Sequence, residues 1–329
     1  MRLSVLPLWW AWVLAAAGSS LIAGEMLRIE SSLDAMGSVY TIVAYGEDRN
    51  LLQSAIDLSF EEVRRLDDLL SNYKPRSEWS MVNREAATGP VRVSPELFGL
   101  VDACLRYSRL SEGAFDITVG PLVRTWGFFK GSGRVPHRAE IRTALAKVGY
   151  RNVILNRDNL TIQFARPGVE IDPGGIGKGY AVDRIVEILR SRGIENALVS
   201  AGGSSMYGLG APPNEKGWHV KIRHPKDAAK SVGELTLHNS SMATSGTSEK
   251  FFISGGKLYS HIFDPRSGYP AVGMLSVSVL APKAIDSEAW TKPMFILGRS
   301  WASQNPQKRK DLKVFFCEDK TEIRCAWLQ

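Results

Sequence analysis

A glycine-rich segment in the middle of the chain has the residue types of an anion-binding site. It runs from Ile171 to Tyr180 with the sequence IDPGGIGKGY and leads into a predicted helix. Backbone N–H groups, the positive end of the helix and the ammonium of Lys178 would therefore point to one place, as binding of a phosphate requires. The segment is neither a Walker A loop nor a G-x-G-x-x-G motif, because Asp172 and Tyr180 occupy positions where those motifs need glycine. The glycines could instead serve only close packing of a strand and a helix.

Two shorter motifs combine an aromatic residue, a polar residue and turn-forming residues. One is Phe115-Asp116 followed by Gly120-Pro121-Leu122, and the other is Ser71-Asn72-Tyr73-Lys74-Pro75. An aromatic face beside polar groups suits a pocket for a flat ring system. A turn around a buried aromatic side chain is the commoner meaning of such a motif, so each one alone is weak evidence.

His261 is the best-suited general base in the sequence. It lies on a predicted strand, directly before the charged turn Asp264-Pro265-Arg266-Ser267-Gly268. Because an imidazole titrates near neutral pH, it could take a proton from a substrate hydroxyl. A single histidine on a strand is more often structural, so its role depends on its surroundings.

The hydrophobic pattern places these motifs in a mixed fold. Apolar residues recur at helical spacing in 51–70, 94–112, 138–148, 287–297 and the segment from the glycine-rich run to Gly193. Strand patterns cover 37–45, 197–200, 218–222, 233–238, 276–280, a hairpin over 250–263 that turns at Gly255-Gly256, and a hairpin at the end of the chain. Since there is no regular βαβ period and no linker, the predicted fold class is α+β, a single compact mixed domain with a strand-rich C-terminal half.

Composition and the first residues indicate the class of protein. The chain has 329 residues, 44% of them hydrophobic, and its 41 Lys and Arg against 34 Asp and Glu are spread without a block of like charge. This argues against a nucleic-acid-binding tail. Arg2, the apolar run Val5–Ala17 and the small residues after it predict a signal peptide over 1–24, a domain over 25–329 and export to the periplasm. An uncleaved N-terminal anchor is an alternative, and no cysteine lies nearby for lipid attachment.

The three cysteines do not have the C-x-x-C spacing of a zinc or thiol-redox site. Cys104 lies on the apolar face of a predicted helix, where a thiol usually serves as a small core residue. Cys317 and Cys325 flank a polar turn near the end of the chain. In an oxidising compartment they could form a disulfide across a hairpin, provided that the cross-strand geometry fits.

Taken together and in this order, the motifs resemble those of the ApbE family of FAD:protein FMN transferases. The resemblance extends from about Met36 to Gly298 and rests on Met36-Gly37-Ser38, Ser71-Asn72-Tyr73, Asn83, Gly113-Ala114-Phe115-Asp116, Gly120-Pro121-Leu122, Asp172 to Gly179, Gly202-Gly203, Thr244-Ser245-Gly246 and His261 to Gly268. It implies an ApbE-like fold, related to the T-fold. It also implies that the protein uses Mg²⁺ to move FMN from FAD to a Thr or Ser hydroxyl of an acceptor protein, with release of AMP.

The resemblance also implies roles for particular residues. Splitting a diphosphate needs positive charge and an activated hydroxyl, and Lys178 and His261 are the candidate catalytic residues for these tasks. By the resemblance, the Gly175 carbonyl would face the metal. FAD would contact Met36, Tyr73, Ala114, Phe115, Asp116, Asp172, Lys178 and Ile262. The acceptor would belong to an electron-transfer system, including one at a membrane, and the sequence does not name it.

Two departures from the family pattern lie near the expected metal. The family's Asp-Ala-x-x-Thr appears here as Glu288-Ala289-Trp290-Thr291-Lys292, so a carboxylate is kept but Lys292 replaces the hydroxyl ligand. A charged ammonium has no lone pair for Mg²⁺. Weak or absent Mg²⁺ binding is therefore expected, together with either metal-independent FAD binding or much-reduced transferase activity. Asp286 is a candidate replacement ligand beside Glu288 and Gly175. In addition, Ser204 stands where Asp or Asn is usual.

Two other functions remain compatible with these residues. One is a non-catalytic FAD or flavin carrier on the same fold that docks an electron-transfer partner. The other is an FAD pyrophosphatase with water as the acceptor. The three functions differ in whether FMN ends up on a protein, free in solution or within intact FAD.

Overall fold

The computed structural model describes residues 26–328, so the predicted signal peptide lies outside the described residues. The helices are α1 (Arg49–Leu70), α2 (Glu78–Glu85), α3 (Pro95–Leu110), α4 (Gly120–Thr125), α5 (Arg138–Leu145), α6 (Gly177–Ser191) and α7 (Ala284–Gln304). The strands are β1 (Leu27–Ala35), β2 (Ser38–Gly46), β3 (Val91–Arg92), β4 (Val153–Asn156), β5 (Thr161–Phe164), β6 (Asn196–Ala201), β7 (Ser205–Leu209), β8 (Trp218–His224), β9 (Asp227–Leu237), β10 (Ser240–Gly246), β11 (Phe251–Ser254), β12 (Lys257–Ser260), β13 (Met274–Ala281), β14 (Lys313–Glu318) and β15 (Arg324–Trp327). Within the described part of the chain, no helix is long and apolar enough to cross a membrane.

An eight-stranded antiparallel sheet forms the centre of the molecule. Its strand order is β1-β2-β6-β7-β10-β13-β14-β15. Alternate residues of β2 point to opposite faces, as the pleat requires. Tyr40, Ile42 and Ala44 pack against α1 and α6, whereas Val43 packs with the hairpin β8–β9 on the other face. The large sheet therefore has helices on one face and the two-stranded sheet β8–β9 on the other, in agreement with the predicted α+β class. Two further small sheets are formed by β3-β5-β4 and by β11-β12.

Helices α6 and α7 are fixed side by side at their first turns. Asp183 of α6 accepts hydrogen bonds from the backbone N–H groups of Ala284 (2.7 Å) and Ile285 (2.9 Å) and so caps α7. Burial raises the pKa of Asp183 to about 6. A Cβ atom on Gly179 would lie 2.3 Å from the carbonyl oxygen of Ala284, so only glycine allows this approach. Contacts between the two helices therefore determine where α7 begins.

Most of the predicted helices and strands are present in the structure. The observed elements that the sequence does not predict are short or strongly polar. The predicted 51–70, 94–112 and 138–148 helices correspond to α1, α3 and α5, and the 250–263 hairpin corresponds to β11 and β12. Helix α7 is longer than the predicted 287–297, since it begins at Ala284 and continues past a non-helical residue, Gly298. Sequence patterns do not predict β1, β3 to β5, β7, β10, α2 and α4.

Two of the three cysteines form a disulfide and the third is a buried free thiol, the two states that their positions in the sequence suggest. Cys317 and Cys325 are paired residues of β14 and β15 and are joined by a disulfide. Cys104 is a fully buried free thiol in the core beneath α3.

Candidate active site

The glycine-rich segment forms a tight turn that leads into α6. Asp172 begins a 3₁₀ turn, Pro173–Gly175, and its carboxylate accepts hydrogen bonds from Gly174 N–H (2.8 Å) and from the Asn72 side chain (2.9 Å). Burial raises the pKa of Asp172, and these two hydrogen bonds oppose the rise. Asn83 holds the chain just before the turn, because its amide both donates to and accepts from the backbone of Ile171. Two motifs a hundred residues apart thus meet at the start of α6.

Further site residues surround the glycines of this turn. The Cβ position of Gly175 lies 3.4 Å from the ring of Phe115 and 3.5 Å from Cε of Lys292, and that of Gly177 lies 3.4 Å from Cε of Met36. Met36 itself occupies the β1–β2 turn with a φ of 51°. Gly179 serves close packing of α7, whereas a Cβ atom at Gly175 or Gly177 would meet its neighbours at ordinary contact distance. Close packing therefore requires glycine at Gly179 only, and anion binding stays a prediction for the other two.

An exposed aromatic stack lies on the rim of this region. Tyr73 is 69% exposed and stacks on Phe129 with ring centroids 4.7 Å apart. The guanidinium of Arg124 lies 3.9 Å from the centre of the Phe129 ring, a favourable cation–π geometry. Asp172 and Arg124 both act electrostatically on the Tyr73 hydroxyl, which places this stack beside the turn. A flat ring system could add to this stack.

The other residues expected to contact FAD are largely buried. Ala114, Phe115 and Ile262 are at most 5% exposed and belong to the apolar wall behind the turn. The Asp116 carboxylate is also buried. It accepts hydrogen bonds from the Thr118 N–H and hydroxyl and from the Tyr150 N–H, at 2.7 to 2.8 Å. Because both of its oxygens accept hydrogen bonds within the protein, Asp116 fixes the chain at this turn. Its contact with FAD stays a prediction.

Lys178 and Lys292 bring two ammonium groups to the turn. Lys178, at the start of α6, donates a hydrogen bond to the hydroxyl of Ser204 in the loop between β6 and β7. Lys292 of α7 donates to the carbonyl oxygen of Glu288 (3.1 Å), and its Nζ lies 3.8 Å from Oε1 of the same residue. Burial lowers the pKa of Lys292, the charge of Lys178 acts in the same direction, and Glu288 opposes both.

His261 has one ring nitrogen fixed and the other free of hydrogen bonds within the described residues. Nδ1 lies 3.0 Å from the carbonyl oxygen of Lys250, and because a carbonyl can only accept, Nδ1 carries the proton. Nε2 is then the basic nitrogen. Burial, followed by the charges of Lys250, Lys292 and Lys178, lowers the pKa of His261 to about 4. The imidazole is therefore neutral at pH 7, and the three lysines lie within electrostatic range of it.

Comparison with known proteins relates this chain to one protein family. The ApbE family model matches residues 36–316. The chain belongs to the ApbE family. It is 33% identical over 290 residues to an FAD:protein FMN transferase of Klebsiella pneumoniae (strain 342), covering 88% of each chain. It is 32% identical over 305 residues to the protein of that name in Salmonella typhimurium, covering 89% of this chain and 85% of the relative.

Solved structures show the same fold. The ApbE protein of Thermotoga maritima superposes with a TM-score of 0.84 at 30% identity, covering 91% of this chain and 96% of that one. The flavin transferase ApbE from Vibrio cholerae gives a TM-score of 0.78 at 27% identity, covering 92% and 97%. The ApbE-like fold expected from the sequence motifs is therefore confirmed.

In this member of the ApbE family, the residues around the turn do not fit a divalent cation. Among residues 26–328, no three His, Cys, Asp or Glu side chains are grouped as metal ligands. The Glu288 carboxylate already accepts from the N–H of Gly179 and faces the ammonium of Lys292. Asp286 accepts a hydrogen bond from the Tyr107 hydroxyl (2.5 Å) and lines a cavity of 560 Å³ to which neither Gly175 nor Glu288 contributes. The structure does not bring Asp286 to the other two proposed ligands.

Several residues of this ApbE site were not anticipated from the sequence. The sequence patterns assign no role to Phe129, Arg124 or Lys250, and they place Asn72 only in a turn motif. The aromatic run Trp126-Gly127-Phe128-Phe129, which follows the Gly120-Pro121 motif, was the available signal for the stack. No sequence pattern indicates Lys250, because its carbonyl oxygen meets His261 only through the pairing of β11 with β12.

Lys178→Ala should weaken FAD binding about tenfold to a hundredfold, since a charge-assisted contact with a diphosphate contributes ~1.5–3 kcal/mol. Calorimetry with FAD measures the effect. Lys221→Ala is the matched control, because Lys221 is a 72% exposed lysine on β8. Equal losses in the two variants would show that only net charge matters and would remove the role assigned to Lys178.

Proposed function

We propose that this protein is an FAD:protein FMN transferase, which moves FMN from FAD to a Thr or Ser hydroxyl of an acceptor protein and releases AMP. The observation that carries the proposal is the position of His261. Its basic nitrogen makes no hydrogen bond to any of residues 26–328, and the charge of Lys178, at the start of the glycine-rich helix, acts on the imidazole. A hydroxyl between these groups would have a base on one side and a diphosphate site on the other. Relatives across the family carry the same activity in their names.

The chain's own residues account for binding of FAD. The flavin ring would lie on the exposed stack of Tyr73 and Phe129, beside the apolar wall that includes Met36 and Phe115. The diphosphate would lie at the start of α6, where backbone N–H groups and the ammonium of Lys178 favour negative charge. Asp172 would act through its hydrogen bonds to Gly174 and Asn72, which fix the turn.

Transfer is a displacement at the phosphorus of the FMN half. The acceptor oxygen forms a new bond to this phosphorus, and the bond to the bridging oxygen breaks. The electron pair of the broken bond stays with AMP, and the proton of the attacking hydroxyl passes to Nε2 of His261. Lysine ammoniums near the diphosphate stabilise the charge that develops on the leaving phosphate. Mg²⁺, expected from the family resemblance, takes no part in this scheme because the residues present do not fit it.

Incubation with FAD and candidate acceptor proteins, followed by intact-mass measurement, tests the proposal. We expect an acceptor to gain the mass of FMN less one water, with one AMP released for each FMN attached. Release of free FMN with AMP would instead identify a pyrophosphatase. Intact FAD held by the protein, with no product after prolonged incubation, would identify a carrier.

We also propose that the protein works after export, on an acceptor of an electron-transfer system outside the cytoplasm. The disulfide between Cys317 and Cys325 supports this location, because such bonds form and persist in oxidising compartments. The sequence pattern over 1–24 supports it independently. Expression with residues 1–24 present, followed by fractionation and N-terminal sequencing, distinguishes a cleaved periplasmic protein from an anchored one.

A further inference from the structure

The ammonium of Lys292 lies where the start of α6 meets α7. Its Cε is 3.5 Å from the Cβ position of Gly175, and its side chain is 21% exposed. A helical side chain points toward the N-terminus of its own helix, which here directs Lys292 back along α7 to the carbonyl oxygen of Glu288. The cation is thus fixed at the glycine-rich turn by the geometry of α7.

Glu288 has its charge balanced by the protein alone. Its side chain is 2% exposed, and a buried carboxylate needs both hydrogen bonds and a counter-charge. The N–H of Gly179 supplies the hydrogen bond, and Lys292 supplies the counter-charge. One carboxylate oxygen of Glu288 therefore accepts a hydrogen bond, and the other faces an ammonium 3.8 Å away. The hydroxyl of Thr291, one residue before Lys292, is also engaged within the protein: it donates to the carbonyl oxygen of Glu288 (2.7 Å) and pairs with the hydroxyl of Ser245 (2.7 Å).

We propose that Lys292 supplies the positive charge beside the diphosphate that a divalent cation would otherwise supply, so that this protein binds FAD and transfers FMN without Mg²⁺. The inference rests on the proposed function. In the displacement described above, the electron pair of the broken bond stays on the AMP phosphate. An ammonium with N–H groups not used by Glu288 can donate to that phosphate and stabilise its charge. Lys292 does not itself gain or lose a bond.

Two measurements test the inference, and the first needs no variant. FAD affinity of the wild-type protein is measured by calorimetry in excess EDTA and again in millimolar Mg²⁺. We expect the two dissociation constants to agree within about twofold, and FMN transfer to proceed in EDTA.

The second measurement uses Lys292→Met, which keeps a side chain of similar length but removes its positive charge and its hydrogen-bond donors. Its FAD affinity in EDTA should fall about tenfold to a hundredfold, the loss expected for a charge-assisted contact, whereas Lys221→Met should bind as the parent does.

The outcomes separate this inference from the proposed function. FAD binding and transfer that occur only with Mg²⁺ would overturn the inference and leave the transferase assignment intact. A folded Lys292→Met protein, judged by thermal unfolding, that binds FAD in EDTA as tightly as the parent would also overturn it. Absence of FAD binding both with and without Mg²⁺ would overturn the proposed function itself, and the inference with it.

Discussion

His261→Asn should lower the rate of FMN transfer by roughly a hundredfold or more, the usual range for loss of a positioned general base. FAD affinity should change less than about threefold, because an uncharged imidazole contributes no ion pair to the diphosphate. Asparagine can still donate a hydrogen bond toward the Lys250 carbonyl, so the hairpin β11–β12 should keep its position. Single-turnover transfer with saturating FAD measures the chemical step, and calorimetry measures the affinity.

The pH dependence of transfer provides an independent check on His261. Its lowered pKa of about 4 means that the base form is already complete at pH 6. For the parent, kcat/KM for FAD, which follows the free enzyme, should stay level from pH 8 to about pH 5 and fall below that as the imidazole is protonated. His219→Asn, at an exposed histidine on β8, is the control and should transfer normally. Parent-like transfer by His261→Asn would make the histidine structural.

Gly179→Ala should lower the free energy of unfolding by about 3 kcal/mol or more, at the upper end of the range for overpacking. The new methyl would lie 2.3 Å from the Ala284 carbonyl oxygen and 3.0 Å from Cβ of Glu288. A backbone oxygen cannot rotate away as a side chain can, so α6 and α7 would have to separate. Separation would weaken the cap from Asp183 and the hydrogen bond from Gly179 to Glu288. Urea unfolding followed by circular dichroism gives the free energy.

Gly99→Ala is the matched control for the same chemical change. Gly99 is exposed in the second turn of α3, and its Cβ position has no atom within 4 Å. Alanine there should stabilise the protein by about 0.5–1 kcal/mol, because glycine loses more backbone entropy in a helix. If both substitutions stabilise, Gly179 is not a close-contact position and the helix-packing explanation is wrong.

The sequence by itself determined the features that depend only on residues close to one another along the chain. Helical spacing of apolar residues predicted α1, α3 and α6, and a glycine pair predicted the β11–β12 turn, because these signals are local. The order of the motifs along the chain also indicates the ApbE family without any geometry. Short strands such as β3 carry too few residues for a pattern, and they exist only because a neighbouring strand supplies their hydrogen bonds.

The tertiary structure alone decided which of the candidate residues lie together. Helix α7 begins at Ala284 because Asp183, a hundred residues earlier, caps it, and no local signal reports such a cap. Once Asp286 lies inside that helix, it points roughly 200° away from Glu288, at 3.6 residues per turn. It therefore faces Tyr107, while Lys292, four residues after Glu288, shares the face of Glu288. Sequence supplies the charges of this site, but contacts between distant segments decide which of them point at the same place.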